Sequence, residues 1–211
     1  MNIYNVIILD ESGSMSSIYR PTIQSMNEVI SGIRKNQKEV PDQRHYVTIV
    51  TFEGNGPDGI KTRRDRVPIQ TVEDFTDMDY CPGGCTPLYD AMGITLNHLE
   101  SIILPEDKVM ATVITDGYEN SSREYSGNTI KALVSRLREK GWVLAYIGAN
   151  QDAVEVAHEL NIKNALNFEA TPDGMSETAV RFKSAARKMA AAVNYCQDTG
   201  ALDHLFEEDK K

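Results

Sequence analysis

Val6-Ile7-Ile8-Leu9-Asp10-Glu11-Ser12-Gly13-Ser14-Met15 is the stretch whose reading decides the fold. It opens as an unbroken apolar run, the pattern of a strand buried on both faces of a parallel sheet. It closes on a carboxylate and two hydroxyls at alternate positions, Asp10, Ser12 and Ser14. A tight loop with an oxygen at every second residue can wrap one side of a hard cation. Three oxygens leave an octahedron incomplete, so further donors must come from elsewhere in the chain.

Downstream, Ile18, Ile23, Met26, Val29, Ile30 and Ile33 recur at helical spacing and predict a helix over 17–38, with Pro21 in its first turn. Tyr46-Val47-Thr48-Ile49-Val50-Thr51-Phe52 is β-branched and aromatic and reads as a strand. Gly54-Asn55-Gly56-Pro57-Asp58-Gly59 spells GxGxxG but contains a proline and opens no helix, so it reads as a polar turn rather than a phosphate cradle. A short strand is expected near 67–71, antiparallel to its predecessor. Arg63, Arg64 and Arg66 are expected to form a solvated edge that discourages sheet aggregation.

An irregular acidic stretch ends in Pro82-Gly83-Gly84-Cys85-Thr86-Pro87-Leu88. Here Thr86 reads as a helix N-cap and Pro87 as the first helical residue, with the helix running to about 103. Val109-Met110-Ala111-Thr112-Val113-Ile114-Thr115 is a second buried strand, and it too ends on a carboxylate, Asp116 before Gly117. A helix carrying Ile130, Leu133, Val134 and Leu137 follows, then a strand at 142–148 and a helix at 152–160. A short edge strand at 165–168, a long helix at 176–194 and an acidic tail from about 200 complete the chain.

Strands alternating with helices predict right-handed βαβ crossovers. The expected fold is α/β and doubly wound, with a mostly parallel central sheet of about six strands. One antiparallel edge strand and helices on both faces complete it. With no repeat, linker or composition break, residues 1–211 read as one domain.

The net charge of −9 and the absence of a Lys/Arg block argue against a nucleic-acid partner. No run approaches the 18 apolar residues of a membrane span. The first strand begins almost at Met1, leaving no room for a signal peptide, so a cytoplasmic location is expected. Cys81 and Cys85 lack the companions of a zinc site and read as reduced loop thiols.

In open α/β sheets ligands gather at the carboxyl ends of strands, where connections diverge to opposite faces. Asp10, Ser12 and Ser14 sit at one such end and Asp116 at another. Thr86 enters from the glycine-rich loop. Taken singly, each fits a turn or a cap; if the two strands are neighbours, all five oxygens converge on one point. Carboxylate, hydroxyl and water oxygens suit Mg²⁺ or Mn²⁺ better than zinc.

The set resembles the metal-ion-dependent adhesion site of the von Willebrand factor A (vWA) domain family, whose pattern is D-x-S-x-S, a separate Thr and a separate Asp. Gly-Gly-Cys-Thr-Pro-Leu and Ile-Gly-Ala-Asn-Gln-Asp are similar to segments of bacterial stand-alone members. The resemblance implies that Asp10, Ser12, Ser14, Thr86 and Asp116 hold the metal, the hydroxyls directly and one or both Asp residues through water. It also implies an open position for an Asp or Glu carboxylate from a protein partner.

The expected function is therefore a metal-dependent protein-binding module and not an enzyme. The alternative from another class is a metal-dependent hydrolase or phosphotransferase using the same strand edge. That reading lacks a base for a serine nucleophile, because His45, His98, His158 and His204 are poorly placed, and it lacks a Walker A lysine. A scaffold with a dead site is disfavoured because no ligand is lost. Asn120-Ser121-Ser122 matches a glycosylation sequon, which matters only in a secreted chain.

Overall fold

A computed structural model describes residues 1–54, 56–149, 152–194, 202, 203, 205 and 206. Val6, Ile7, Ile8 and Leu9 are all fully buried in β1 (Asn2–Asp10), each contributing about 1.5–3 kcal/mol of burial free energy. A 3-10 turn (Gly13–Ile18) leads into α1 (Tyr19–Glu39), which contains Pro21 in its first turn as expected. Next come β2 (Arg44–Phe52), a 3-10 turn (Gly56–Gly59) and β3 (Ile60–Pro68). The second half holds α2 (Leu88–Glu100), β4 (Lys108–Thr115), α3 (Gly127–Glu139) and β5 (Val143–Ala149). It closes with α4 (Ala153–Glu159), β6 (Asn164–Phe168) and α5 (Pro172–Asn194).

The six strands form one sheet in the order β3-β2-β1-β4-β5-β6. Every pairing is parallel except β2 with β3, the antiparallel edge. Alternation along β1 divides the core between the two faces. Ile3, Ile7 and Leu9 pack with α1 and α5, while Val6 and Ile8 pack with α2 and α3. The pairing of β1 with β4 puts Leu9 opposite Ile114, so Asp10 emerges beside the end of β4.

Several local expectations are corrected. β3 begins at Ile60, so the three arginines lie within the strand. Arg63 and Arg64 do not form a solvated edge. Arg63 pairs with fully buried Glu11 at 3.0 Å and Arg64 with Asp79 at 2.8 Å. Arg66 is the most exposed of the three, paired with Asp65 at 2.9 Å. Asp65 and Arg66 together oppose Thr48 as a bulge, with Arg66 at φ 49° and its N–H donating to the Thr48 hydroxyl at 3.1 Å.

Thr86 does not cap α2. Pro87 occupies the N-cap position, and the helix ends at Glu100 rather than near 103. The expected tail from about 200 is partly docked: Leu202 and Leu205 are buried. Asn164 holds both, donating to the Leu202 carbonyl and accepting from the Leu205 N–H at 2.9 Å each. The acidic end at 207–211, Cys196 and His204 lie outside the described residues.

Candidate metal centre

The parallel pairing of β1 with β4 makes a point where successive connections leave for opposite faces, the place a ligand is expected in an open α/β sheet. Asp10 stands there fully buried. Its Oδ1 accepts the Ser12 N–H at 2.7 Å, a two-residue loop closure typical of aspartate, and its Oδ2 accepts the Thr115 hydroxyl. Ser12 is buried and Ser14 exposed, and their hydroxyls are 3.2 Å apart. The Ser14 hydroxyl donates to Asp116 Oδ1 at 2.5 Å, across 102 residues of sequence.

Thr86 joins from the glycine-rich loop. A Cβ built on Gly117 would stand 3.5 Å from Thr86 Oγ1 and 3.7 Å from Ser14 Oγ, so the two hydroxyls share the pocket over the end of β4. The structure thus brings together Asp10, Ser12, Ser14, Thr86 and Asp116.

The electrostatics of this cluster are those of two carboxylates drawn partly out of water. Burial pushes the Asp10 carboxyl up to about 6, against the hydrogen bonds from Thr115 and Ser12, and the Asp116 charge pushes the same way. Burial also raises Asp116, opposed by its bond from Ser14. Among the described residues, no Lys, Arg or His forms an ion pair with either carboxylate. Two acidic groups and three hydroxyls drawn together, with no ion-pair partner among the described residues, have the chemistry of residues that could hold a hard divalent ion. Among the described residues there is no cluster of three His, Cys, Asp or Glu side chains of the kind that holds zinc. Cys81 and Cys85 are exposed and unbridged.

Comparison with solved structures places the fold in a known architecture. The chain aligns with proximal thread matrix protein 1 from the mussel byssus "with zinc occupied MIDAS motif" at a TM-score of 0.59 and 15% identity, covering 90% of this chain and 46% of that one. It aligns with a von Willebrand factor type A protein from Catenulispora acidiphila at 0.55 and 16%, covering 89% and 42%. It aligns with the SpRpn10 VWA domain at 0.53 and 12%, covering 84% and 93%. This is the von Willebrand factor A fold. The chain spans under half the length of the byssus and Catenulispora proteins. No protein-family model and no curated protein sequence matches it.

Within this vWA fold, several residues that sequence reasoning missed hold Asp10, Thr86 and the loop after β4. Thr115 orients Asp10 and also accepts the Gly117 N–H at 3.1 Å. Asn120 and Thr86 pair reciprocally: Asn120 Oδ1 accepts the Thr86 N–H at 2.8 Å, and the Asn120 N–H donates to the Thr86 carbonyl at 3.2 Å. Buried Asp90 accepts the consecutive N–H groups of Arg123, Glu124 and Tyr125, stitching the loop after β4 to the first turn of α2. Glu119 accepts from the N–H groups of Tyr89, Ser121 and Ser122. None of these braces carried a local signal: the Thr115–Asp10 bond spans 105 residues, and those from Asn120, Asp90 and Glu119 to the other segment span 30 to 35.

Proposed function

We propose that this vWA fold is a divalent-cation-dependent protein-binding module in which Asp10, Ser12, Ser14, Thr86 and Asp116 hold Mg²⁺ or Mn²⁺. The observation that carries the reading is the buried Asp10 carboxylate, set beside Asp116 with only hydroxyl and N–H partners. The ion, when bound, supplies a Lewis-acidic position for an anionic oxygen. Three of the five donors are neutral hydroxyls, so the charge of a divalent ion is only partly offset by the chain. That favours one further carboxylate, from an Asp or Glu of a protein partner, over a site built only to hold structural metal.

The chain's own residues do the positioning. Thr115 and the Ser12 N–H fix both oxygens of Asp10, Ser14 fixes Asp116, and Asn120 fixes the backbone of Thr86. A hydrolase or phosphotransferase gains no support. His45 is buried at the start of β2, the opposite end of the strand from Asp10's neighbour Phe52, and His98 lies in the last turn of α2, far from its Pro87 end. No helix among the described residues is long and apolar enough to cross a membrane.

Thermal melting with Mg²⁺, Mn²⁺ or EDTA tests the metal assignment. A hundredfold excess of ion over Kd should stabilise the fold by about 2.7 kcal/mol. Equal melting in chelator and metal, for wild type and Asp10→Ala alike, would sink it. Capture of a partner in Mg²⁺, followed by Asp/Glu scanning of that partner, tests the carboxylate. Capture that survives both EDTA and Thr86→Ala would move the binding surface elsewhere.

A further inference from the structure

Glu11 lies between two candidate ligands, Asp10 and Ser12, and is itself fully buried. Its carboxylate does not join the metal cluster. Oε1 accepts the Cys81 N–H at 2.5 Å, and both oxygens accept Arg63 Nη2 at 3.0 Å. Arg63 Nε donates in turn to the Thr51 hydroxyl at 2.9 Å, tying β1, β2 and β3 into one network.

The Glu11 backbone adds two more ties. Its N–H donates to the Phe52 carbonyl, and its carbonyl accepts the Gly83 N–H, both at 2.8 Å. Two residues on, the Gly13 N–H donates to the Gly84 carbonyl at 3.1 Å. Gly84 adopts φ +66°, and a Cβ there would stand 2.7 Å from both the Gly54 nitrogen and Glu53 Oε2, so only glycine lets the loop press this close.

Residues 81–87 form no helix or strand of their own. A segment without an internal hydrogen-bond ladder takes its position from its anchors: Asn120 holds it at Thr86, and Glu11 holds its first half at Cys81 and Gly83. We infer that Glu11 is a positioning residue for the metal centre: its buried carboxylate, held by Arg63, latches the loop that delivers Thr86 to Asp10, Ser12 and Ser14. One turn thus presents oxygens to the cation at alternate positions and grips the loop of the remaining hydroxyl from the position between. The consequence for metal affinity rests on the function proposed above; the latch itself does not.

The test replaces the ion pair as a unit, Glu11→Met with Arg63→Met. Well-packed apolar residues in place of a buried ion pair are commonly neutral or stabilising, so the fold is retained while the acceptor for the Cys81 N–H is removed. Two readouts follow: amide hydrogen exchange in EDTA, and Mn²⁺ binding by titration calorimetry. The double variant should exchange faster at residues 81–86, with β4 unchanged. It should bind Mn²⁺ at least tenfold more weakly, in line with the effect of losing a ligand-orienting partner. Adding Thr86→Ala should then weaken Mn²⁺ binding little further, whereas adding Ser14→Ala should cost as much as it does in the wild type.

Wild-type exchange at 81–86 would overturn the latch. So would full additivity between the double variant and Thr86→Ala. Should the double variant not fold, Glu11→Leu alone takes its place with the same readouts: it also removes the acceptor for the Cys81 N–H, and the partly exposed Arg63 guanidinium can turn to solvent. If wild type and Asp10→Ala bind Mn²⁺ equally, the metal assignment falls, and exchange in EDTA still decides the latch.

Discussion

Thr115, the last residue of β4, donates its hydroxyl to Oδ2 of Asp10, the last residue of β1, joining two positions 105 residues apart at the carboxyl edge of the sheet. The bond holds Oδ2 of a carboxylate whose Oδ1 the Ser12 N–H already grips, and so completes its orientation. Thr115→Val keeps the shape and deletes the hydroxyl. Loss of such an outer partner typically lowers metal affinity 10- to 100-fold, and a Mn²⁺ titration of Thr115→Val should fall in that range. An unchanged Kd would mean that Asp10 needs no orienter.

Asp10→Asn separates the cost of the buried charge from its use. The amide keeps the volume, and its Nδ2 can face Thr115 if the Thr115 hydroxyl turns to the Gly117 carbonyl, already 3.0 Å away. The charge beside Asp116 is gone. In EDTA the variant should melt a few degrees higher than wild type, equivalent to about 1 kcal/mol. The stabilisation by Mg²⁺ should vanish. A variant that melts lower in EDTA and still responds to metal would contradict the assignment.

How much of this was legible beforehand follows from the range of each signal. β1 and β4 announced themselves as apolar runs ending on Asp10 and Asp116, and the alternation of strands with helices then implied right-handed crossovers and a mostly parallel sheet. Arg63 and Arg64 were misread because their partners, Glu11 and Asp79, lie 52 and 15 residues away, whereas the solvated-edge pattern is local. Thr86 before Pro87 has the local form of an N-cap, yet its backbone is claimed by Asn120, 34 residues on. Thr115 looked like one more β-branched strand residue. Glu11 occupies the variable place in D-x-S-x-S, where sequence pattern attaches no role to a side chain.

At the other end of the sheet, His45 should make stability depend on pH. The ring is buried: Nε2 faces Gln43 Oε1 at 3.1 Å and Nδ1 faces the Asn5 amide nitrogen at 3.4 Å. Gln43 Nε2 donates to the Ala190 carbonyl and Asn5 Nδ2 to the Tyr46 carbonyl, so a neutral ring protonated on Nε2 satisfies every group. A second proton would point at the Asn5 NH₂. Burial accordingly pushes His45 down to about 4. As pH falls below about 6.5 the unfolded chain takes up the proton first, so stability declines until the folded state titrates near 4. The total loss is on the order of 3 kcal/mol. Denaturant melts of wild type and His45→Gln across this window should converge at low pH. Parallel curves would mean that the ring is protonated in the fold.

Gly93 sits inside α2 with no unusual backbone, so intrinsic propensity says that alanine should stabilise the helix by about 1 kcal/mol. Packing reverses the sign. A Cβ at 93 would stand 2.3–2.5 Å from Cδ1, Cγ and Cε1 of the Tyr125 ring. The ring cannot swing aside cheaply: its hydroxyl accepts Asn97 Nδ2 at 3.2 Å, and the Tyr125 N–H is held by Asp90 at 2.8 Å. Overpacking of this kind costs about 1–3 kcal/mol. Gly93→Ala should therefore lower stability, and strain on Tyr125 should carry through Asp90 to the loop that begins at Asp116. In the background of Tyr125→Ala, where the ring is absent, the same Gly93→Ala change should become neutral or stabilising. A Gly93→Ala chain that melts above wild type with Tyr125 intact would show that the ring has room to yield.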